Sequence, residues 1–435
     1  MKKYILTLAA LLPIAISCCR TPEYTVPAPE DVMMYQVNPR VFAESSSFNA
    51  VALQLDSIRQ IGANVVWFMP IYEVGKVNSV NSPYCIKDYK ALNPEFGTMQ
   101  EFANVVDECH KRGMAVIIDW VANHTSWDNG WIENKDWYTQ DGNGNIISPE
   151  GTGWLDVADL NFDNAEMRLA MIDAMKFWVN EAGVDGFRCD AADFVPYDFW
   201  KQAIDSLRAI PDHKLLLLAE GKRKDHFDAG FEMNYAWDFA EAMRDVFIRN
   251  ASAETLYAAD AEEYSSIPEG CVKLRFTTNH DEAAKQSPIE EYCSERGSMS
   301  AFVIAAYLHG GALIYGSQEV GYPAPINFFF YVPVDWSTNN ALRKEYEKLM
   351  SLYNTCPAIR KGNMTPYPDN DFMVFEKADS QDRILVIANV RGESGSIMIP
   401  DGWSGHTVTD LMDGKQTRLS DEMTIEGYGY RIFRF

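Results

Sequence analysis

The chain has 435 residues, of which 47% are hydrophobic and 13% aromatic, and 62 acidic against 38 basic side chains give it a formal net charge of −24. This length suits a barrel of roughly 250–350 residues with one accessory domain. The acidic balance excludes nucleic acid and anionic membrane surfaces as expected partners, since both attract basic patches. The composition therefore favours an enzyme that acts on a neutral substrate.

The first 19 residues have the pattern of an export signal. In "MKKYILTLAALLPIAISCC" two lysines precede an apolar run that is too short to span a membrane but is typical of a secretory signal. "AISC" resembles a bacterial lipobox, in which Ser17 precedes Cys18 as the residue to be lipidated. The alternative is a plain signal peptide cleaved nearby. We predict a lipoprotein signal over 1–19, a proline-rich tether over 20–31, a lipid anchor at Cys18 and a periplasmic or outer-membrane location.

Six further cysteines follow the signal, and none has the spacing of a CxxC pair or of a zinc site with histidine. We expect buried free thiols rather than a disulfide framework. The six are Cys85, Cys109, Cys189, Cys271, Cys293 and Cys356.

Short apolar runs alternate with amphipathic segments from residue 32 to about residue 355. Continuous apolar runs indicate parallel strands that are buried on both faces. The predicted strands lie within 33–42, 63–70, 114–121, 184–190, 214–220, 231–237, 272–280 and 312–320. The predicted helices include 98–112, 165–181, 197–208 and 297–309. This alternation predicts an α/β fold, a (β/α)₈ TIM barrel.

Two segments depart from the strand–helix alternation. Residues 124–163 are rich in Trp, Asn, Asp and Gly, and we predict that they form a small subdomain inserted after the third strand. The barrel is then divided into 32–123 and 164–360. Residues 361–435 carry short alternating strands with turns between them, which predicts a C-terminal antiparallel β-sandwich domain.

Carboxylates follow three different predicted strands, namely Asp190, Glu220 and Asp281. Active sites of such barrels lie at the carboxyl ends of the strands. A helix cap or a surface loop explains one such residue, but three on one face indicate chemistry. A pair of carboxylates, one ionised and one protonated, is what the cleavage of a glycosidic bond requires.

The neighbours of these carboxylates suggest a role for each. Arg188 lies two residues before Asp190, on the same side of the strand, and we expect it to lower the pKa of Asp190 as a nucleophile requires. Glu220 ends a strongly apolar run and is the better proton donor. We expect His124 and His280 to hydrogen-bond sugar hydroxyls.

Four motifs in order resemble the conserved regions of the alpha-amylase family, glycoside hydrolase family 13. They are "DWVANH" (119–124), "GFRCD" (186–190), "LLAE" (217–220) and "TTNHD" (277–281). "VADLN" (157–161) is similar to the fifth region of the family, and "SPYCIKDYKALNPEFGT" (82–98) is similar to its segment after the second strand. The resemblance covers roughly residues 32–435.

The resemblance implies a retaining double displacement, with Asp190 as nucleophile, Glu220 as general acid/base and Asp281 as the carboxylate that stabilises the transition state. The two reacting carboxyl groups are then expected about 5–5.5 Å apart. The resemblance also implies a group of residues that bind or position the reacting sugar, namely Tyr84, His124, Arg188, His280 and Asp119.

The chain departs from the family pattern beside the nucleophile. Many members carry a Lys-His pair where this chain has Asp193 and Phe194, which changes the sites for acceptor sugars. Gly221 follows the acid/base and is expected to leave that side of the acceptor site open. Asn123 and Asp159 match calcium-ligand positions, but members without this calcium keep similar residues, so the resemblance leaves calcium open.

We predict a hydrolase of alpha-glucosidic bonds in starch-type glucans or maltooligosaccharides, without an organic cofactor. The alternatives are an alpha-glucan transglycosylase and a non-catalytic glucan-binding protein. The "NFFFYVP" run (327–333) is expected to pack beneath the eighth strand. One or two of five tryptophans are expected to contact glucan, the five being Trp120, Trp127, Trp131, Trp137 and Trp154.

Overall fold

The computed structural model describes residues 24–435. The predicted signal peptide and Cys18 lie outside these residues. Between Tyr24 and Phe435 no helix combines the length and the apolar character needed to cross a bilayer.

Eight parallel strands close into a barrel in which each strand pairs with its neighbours in sequence, and the last pairs with the first. Met33 lies beside Ala312 across this closing pair. The strands are β1 (Met33–Val37), β2 (Val65–Phe68), β3 (Ala115–Trp120), β4 (Gly186–Cys189), β5 (Leu216–Ala219), β6 (Met233–Tyr235), β7 (Val272–Arg275) and β8 (Gly311–Tyr315). The barrel confirms the predicted fold class, and every predicted strand run contains one of these strands or most of it.

One principal helix follows each strand on the outside of the barrel. These are α1 (Ser47–Ile61), α2 (Met99–Lys111), α3 (Ala165–Ala182), α4 (Tyr197–Arg208), α5 (Asp225–Ala229), α6 (Trp237–Ile248), α7 (Glu295–Leu308) and α8 (Asn340–Thr355). Additional helices occupy Pro39–Phe42, Thr255–Tyr264, His280–Ala283, Pro288–Glu291 and Pro357–Lys361.

Local sequence sets where these helices begin. At α2 the Thr98 hydroxyl accepts from the Glu101 backbone N–H at 3.3 Å, and the Glu101 carboxylate accepts from the Thr98 N–H at 2.7 Å. This reciprocal capping satisfies two backbone donors that the helix itself leaves unpaired. The apolar face behind the cap, which includes Phe102 and Val105, is buried.

Two small antiparallel sheets stand at the carboxyl end of the barrel. One pairs Tyr72–Val74 with Ile86–Leu92, and the other pairs His124–Ser126 with Val157–Asp159. The second sheet joins the two ends of the segment predicted as an inserted subdomain, with His124 beside Asp159. It therefore brings the end of that segment back beside the strand ends.

The C-terminal domain contains a six-stranded antiparallel sheet and a two-stranded sheet. Its strands are β9 (Asn363–Pro366), β10 (Phe372–Ala378), β11 (Arg383–Asn389), β12 (Gly395–Met398), β13 (Thr407–Asp410), β14 (Gln416–Arg418), β15 (Glu422–Ile425) and β16 (Tyr430–Arg434). The large sheet has the order β9-β10-β11-β16-β13-β14, and β12 pairs with β15. This arrangement confirms the predicted antiparallel β domain.

Helix α7 lies between the barrel and this domain. Every residue from Gly297 to Leu308 is buried. The Ser300 hydroxyl donates to the Asn389 carbonyl at 3.1 Å, and the Lys377 ammonium donates to the Leu308 carbonyl at 2.9 Å. The helix is thus enclosed by both parts of the chain.

The first described residues pack on the amino-terminal end of the barrel, which we call the barrel floor. The Tyr24 ring stacks on His110 with centroids 4.1 Å apart. Val26 is buried, and its carbonyl accepts from the Lys214 ammonium at 3.1 Å. The tether predicted over 20–31 is therefore bound to the barrel from Tyr24 onwards, because its apolar side chains find a site there.

All six cysteines of the described chain are free thiols. Cys85, Cys109, Cys189 and Cys356 are buried, whereas Cys293 is exposed and Cys271 is half-buried.

Candidate active site

Most of the residues singled out in the sequence line one pocket at the carboxyl ends of the barrel strands. The wall includes Tyr84, His124, Asp190, Glu220, His280 and Asp281. Arg188 and Asp119 are fully buried beneath it. The structure thus brings all eight predicted catalytic and sugar-site residues together, because five loops converge on the same end of the barrel.

Arg188 stands at the centre of the site and contacts three carboxylates. Its Nη1 lies 2.6 Å from Asp119 Oδ1 and 2.8 Å from Asp190 Oδ1. Its Nη2 lies 2.7 Å from Glu220 Oε1, as an ion-pair contact rather than an aligned hydrogen bond. One planar guanidinium therefore holds both proposed reacting carboxylates in place.

Aromatic side chains complete the surroundings of Arg188. Its guanidinium lies 5.1 Å from the ring centroid of Trp67 and 5.6 Å from that of Tyr235. Arg188 Nε also donates to the Tyr235 hydroxyl at 3.1 Å. These contacts fix the guanidinium plane and stabilise a buried positive charge.

The pKa of Asp190 differs from the sequence-based expectation. Burial raises the pKa of Asp190 well above its usual range, although the charge of Arg188 opposes this rise. Burial also raises the pKa of Asp119, to about 7. Arg188 acts in the expected direction, but the expected net lowering is wrong because burial outweighs it, and the charges of Glu220 and Asp119 on the same guanidinium add to the rise.

Glu220 is fixed by the backbone of the neighbouring loop. Its Oε2 accepts from the backbone N–H of Ala191 at 2.7 Å. Ala191 has a φ of +44°, a conformation that a residue with a Cβ adopts at some cost. The turn after Asp190 therefore aims a backbone donor at the second carboxylate.

A chain of hydrogen bonds runs from the barrel interior to Asp119. Gln36 Nε2 lies 2.8 Å from His280 Nδ1, and His280 Nε2 lies 2.6 Å from the Tyr84 hydroxyl. That hydroxyl donates to Asp119 Oδ2 at 3.1 Å. Since Gln36 donates to Nδ1, the proton of the neutral imidazole lies on Nε2.

Both histidines of the pocket are held neutral. Burial, followed by the charge of Arg188, lowers the pKa of His280 to about 3. Burial lowers the pKa of His124 to about 4. Neither imidazole therefore adds charge to the site. At His280 a sugar hydroxyl would have to replace the Tyr84 hydroxyl or Gln36 as the hydrogen-bond partner.

Asp281 lies in the first turn of the short helix His280–Ala283. The side chain of Asn279 caps this turn by accepting from the backbone N–H of Asp281 at 2.9 Å and from that of Glu282 at 3.1 Å. The Asp281 side chain remains 40% exposed to the pocket. Its partial burial raises the pKa of Asp281, although the charge of Arg188 opposes the rise.

Asp193 and Gly221, two of the departures from the family pattern, contact each other. The Asp193 carboxylate accepts from the backbone N–H groups of Lys222 and Arg223, each at 3.2 Å. A Cβ on Gly221 would lie 2.3 Å from Asp193 Oδ1. The space beside Gly221 is filled, so the expectation that Gly221 leaves it open is wrong.

Aromatic side chains form two walls of the pocket that the motifs did not predict. On one, Trp154 lines the pocket with its ring centroid 5.6 Å from that of His124, and the exposed Phe194 extends this surface outwards with its ring 5.6 Å from Trp154. Another is formed by Phe328 and Phe329. The "NFFFYVP" run therefore lines the site and does not simply pack beneath β8.

The remaining tryptophans of the five serve packing. Trp120 is fully buried, and Trp127, Trp131 and Trp137 pack against the main core. Trp154 is the member of the group that lines the pocket.

The two proposed calcium ligands do not form a metal site by themselves. Asn123 Nδ2 is directed at His124 Nδ1, 3.3 Å away, and burial raises the pKa of Asp159. Within residues 24–435 no group of three or more His, Cys, Asp or Glu side chains is placed to hold a metal. Calcium takes six to eight oxygen ligands, so amide, backbone carbonyl or water oxygens would have to join Asn123 and Asp159 in any calcium site here.

Several functional residues were not predicted from the sequence. Gln36 and Tyr235 position His280 and Arg188 from inside the barrel, and their strands carry no motif. Phe328 and Phe329 had a signal, a run of three phenylalanines in the loop that follows the last barrel strand. Aromatic residues that follow a barrel strand are on the active-site face, and this position favours a binding role over packing.

Known proteins resemble this chain in sequence. The model of the alpha-amylase catalytic domain matches residues 36–149 and 152–246. The alpha-amylase MalA of Haloarcula japonica is 26% identical over 417 residues, which are 90% of this chain and 60% of that protein. A Bacillus cyclomaltodextrinase is 25% identical over 83% of this chain and 73% of its own length. The oligo-1,6-glucosidase of Parageobacillus thermoglucosidasius is 30% identical over 38% of this chain and 35% of its own length.

Solved structures share the fold over nearly the whole chain. The maltogenic alpha-amylase AmyB of Thermotoga neapolitana superimposes with a TM-score of 0.85 at 24% identity, covering 94% of this chain and 99% of that one. An alpha-amylase of Lactobacillus plantarum gives a TM-score of 0.84 at 24% identity, with coverage of 93% and 99%.

Proposed function

The chain belongs to the alpha-amylase family of glycoside hydrolases, and from this premise we propose that it is a retaining hydrolase of alpha-glucosidic bonds in starch-type glucans or maltooligosaccharides. The observation that carries the proposal is the contact of one guanidinium, Arg188, with both Asp190 and Glu220. A shared cation places an acid and a nucleophile beside the same sugar carbon.

The proposed mechanism has two displacements. Asp190 attacks the anomeric carbon while Glu220 gives its proton to the departing glycosidic oxygen, which forms a glycosyl ester on Asp190. Glu220, now ionised, takes a proton from water, and the resulting hydroxide attacks the same carbon and releases Asp190. Both attacks invert the anomeric carbon, so the product keeps the α configuration.

The surrounding residues prepare this chemistry. Burial favours a proton on the carboxylates that share Arg188. The proposed reaction requires this proton to lie on Glu220 when Asp190, ionised against Arg188, attacks the sugar. Asp119 accepts from Arg188 and Tyr84 and so fixes both. Asp281, with His280 and His124, is proposed to bind the sugar hydroxyls as positive charge develops at the anomeric carbon.

Transfer to a second sugar is the alternative activity, and one observation favours it. Trp154 and Phe194 form an apolar surface beside the pocket, and aromatic rings bind the CH faces of sugars. A sugar bound there would compete with water for the glycosyl ester. The same three carboxylates would serve both reactions.

The central experiment measures products from maltoheptaose. Asp190→Asn and Glu220→Gln are each expected to remove activity, whereas Asp198→Asn, an exposed carboxylate in the first turn of α4, is the matched control and is expected to retain it. Unchanged release of reducing ends by Asp190→Asn would overturn the assignment. Loss of activity in the Asp198→Asn control to the same extent would also overturn the assignment.

Two further measurements on the same reaction separate hydrolysis from transfer and test the retaining mechanism. Proton NMR during the first turnovers is expected to show the α anomer before mutarotation, and a β anomer would exclude the retaining mechanism. Products longer than maltoheptaose would assign the chain to transfer, and uniformly shorter products assign it to hydrolysis. If the protein bound maltoheptaose but released no products, the non-catalytic alternative would be supported.

The proposed location is extracytoplasmic, with Cys18 lipidated and the chain anchored in the periplasm or at the outer membrane. The support is the lipobox-like "AISC" sequence. Cells that express the chain are expected to incorporate labelled palmitate into it and to lose the label in Cys18→Ala. Label that persists in this variant would contradict the anchor.

Calcium dependence is a separate proposal that rests on the family positions Asn123 and Asp159. If calcium binds, its addition after chelation raises the thermal unfolding midpoint, and Asp159→Asn removes this increase. An unchanged midpoint would exclude a structural calcium there.

A further inference from the structure

We propose that the membrane anchor holds the barrel floor against the bilayer, so that the active-site pocket opens away from the membrane. This inference rests on the lipidation of Cys18 proposed above, but it does not depend on which glucan the enzyme cleaves.

The first argument is the polarity of the barrel. Asp190 and Glu220 directly follow β4 and β5, at the carboxyl ends of the strands. Tyr24 stacks on His110, which lies in the last turn of α2 and therefore just before β3 begins. His110 Nε2 in turn lies 2.8 Å from Asp185, the residue before β4. The described chain thus begins at the end of the barrel opposite to the pocket.

The second argument is that this first segment is firmly attached. Asp31 accepts from Arg360 Nε at 2.9 Å and from Lys361 Nζ at 2.7 Å. Its backbone carbonyl accepts from Asn64 Nδ2 at 2.7 Å. Together with the buried side chain of Val26, these contacts fix the segment to the floor, so the position of Tyr24 sets where the anchor begins.

The third argument is the length of chain between the lipid and this attachment. Cys18 and Tyr24 are six residues apart, and a fully extended chain spans at most about 3.6 Å per residue, or about 20 Å here. A compact chain of this size has a radius of roughly 28 Å. The connection is shorter than this radius, so it cannot pass around the protein and turn the pocket towards the bilayer.

The orientation has a consequence for substrate access. A long glucan can approach the pocket from the aqueous side without first passing between protein and lipid. The net charge of −24 would repel an anionic surface from most of the protein, and the lipid anchor holds only the floor close to it.

Energy transfer to an acceptor lipid tests this orientation in the lipidated full-length protein reconstituted in phosphatidylcholine vesicles. In a background of Cys19→Ser, Cys271→Ser and Cys293→Ser, a dye is attached at Glu269→Cys, an exposed floor position before β7, or at Leu155→Cys beside the pocket. We expect roughly twofold or greater transfer from the floor position, because about one protein diameter separates the two sites.

A matched control lengthens the connection. An insertion of 30 Gly/Ser residues between Arg20 and Thr21 reaches about 30 Å on average and far more at full extension, and we expect it to reduce the difference between the two dyes. Equal transfer, or greater transfer from position 155, in the lipidated chain without the insertion overturns the orientation. A chain that is exported but not lipidated overturns the anchor, and the orientation with it, while activity on maltoheptaose reports separately on the proposed function.

Discussion

Arg188 contacts three carboxylates and three aromatic rings, those of Trp67, Tyr84 and Tyr235, from a fully buried position. Its role follows from geometry as well as charge, because the two terminal nitrogens of the guanidinium reach different carboxylates at the same time. An ammonium group is a point charge on a flexible stem and cannot reproduce this bridge.

We therefore expect Arg188→Lys to retain the fold and to lower kcat by at least about 100-fold, through misplacement of Asp190 and Glu220. Arg188→Ala leaves buried carboxylates without a cation and is expected to cost about 3–5 kcal/mol of stability. Steady-state kinetics and thermal unfolding measure the two effects. Arg168→Lys, an equivalent change at an ion pair with the exposed Asp198, is the control, and wild-type kcat in Arg188→Lys would contradict the proposed bridge.

At the scale of residues the sequence predicted which side chains come into contact, but it did not predict the pKa shifts that result from the contacts. The spacing of Arg188 and Asp190 predicted their contact, because residues two apart on a strand lie on one face. The position of Asp119 and Glu220 on the same guanidinium depends on pairing between β3, β4 and β5, which no single motif contains. The direction of the pKa shift of Asp190 was missed because a motif shows neither the burial of this carboxylate nor its two carboxylate neighbours.

The loop between β5 and α5 shows how two unusual residues depend on each other. Asp193 caps the backbone of this loop, and it occupies the space that a side chain at position 221 would need. A Cβ there would also lie 2.8 Å from His226 Cε1. Glu220 precedes this position, so a displacement of the loop moves the proposed acid.

Gly221→Ala is expected to destabilise the protein by about 1–3 kcal/mol through overpacking and to lower kcat. Asp193→Ala in the same chain opens the space and is expected to restore part of the activity. Gly142→Ala, where a Cβ would meet nothing within 4 Å, is the control. The interpretation fails if Gly221→Ala matches the wild type in both kcat and unfolding midpoint.

The exposed rings of Trp154 and Phe194 are expected to bind long substrates more than short ones. Trp154→Ala is expected to raise KM for maltoheptaose about 5- to 10-fold, the loss of about 1 kcal/mol of ring contact with sugar, with a smaller effect on maltotriose. Phe194→Ala is expected to act in the same direction. Leu155→Ala changes the 75% exposed neighbour of Trp154 and controls for disturbance of the loop. If Trp154→Ala raised KM equally for maltoheptaose and maltotriose, the proposed sugar-binding surface at the edge of the pocket would be contradicted.

Element prediction succeeded where periodicity was strong and failed where function depends on loops. The predicted helix over 197–208 coincides with α4, because Pro196 directly precedes its first turn and its buried apolar residues recur at helical spacing. The "NFFFYVP" run was misassigned, because an apolar run by itself cannot distinguish a packed loop from a pocket wall. Only the position after β8 decides between them.

At the scale of the whole molecule, buried neutral histidines make stability depend on pH. The folded-state pKa of His124 is lowered by burial to about 4, against about 6.5 in an unfolded chain. The unfolded state binds the proton more tightly, so this contribution to stability is present above pH 6.5 and is lost as pH falls towards 4. The raised pKa values of Asp190 and Asp119 act in the opposite sense, since their contribution falls as pH rises.

The contribution of one histidine is isolated by comparison of variants. Between pH 7 and pH 5 the wild type is expected to lose about 2 kcal/mol more stability than His124→Gln. Urea unfolding at both pH values measures this difference. His213→Gln, which changes an exposed histidine, is expected to follow the wild type, and identical pH dependence in His124→Gln would show that His124 is not held neutral by the fold.

The barrel and the β domain were both predicted from the sequence, because strand–helix alternation and alternating strands extend over long stretches and average out local errors. The attachment of residues 24–31 to the floor was not predicted. A proline-rich polar segment has the composition of a linker, and only the cavity that receives Tyr24 and Val26 shows otherwise.

The burial of α7 on all sides bears on the modularity of the chain. A helix that is apolar around its whole circumference cannot serve as the outer surface of an independent barrel, and its residues from Gly297 to Leu308 are covered from both directions. The C-terminal domain is therefore a part of the catalytic body and not an interchangeable appendage. Exchange of this domain would uncover the side of α7 that it now buries, so we expect the barrel and the C-terminal domain to be inherited together.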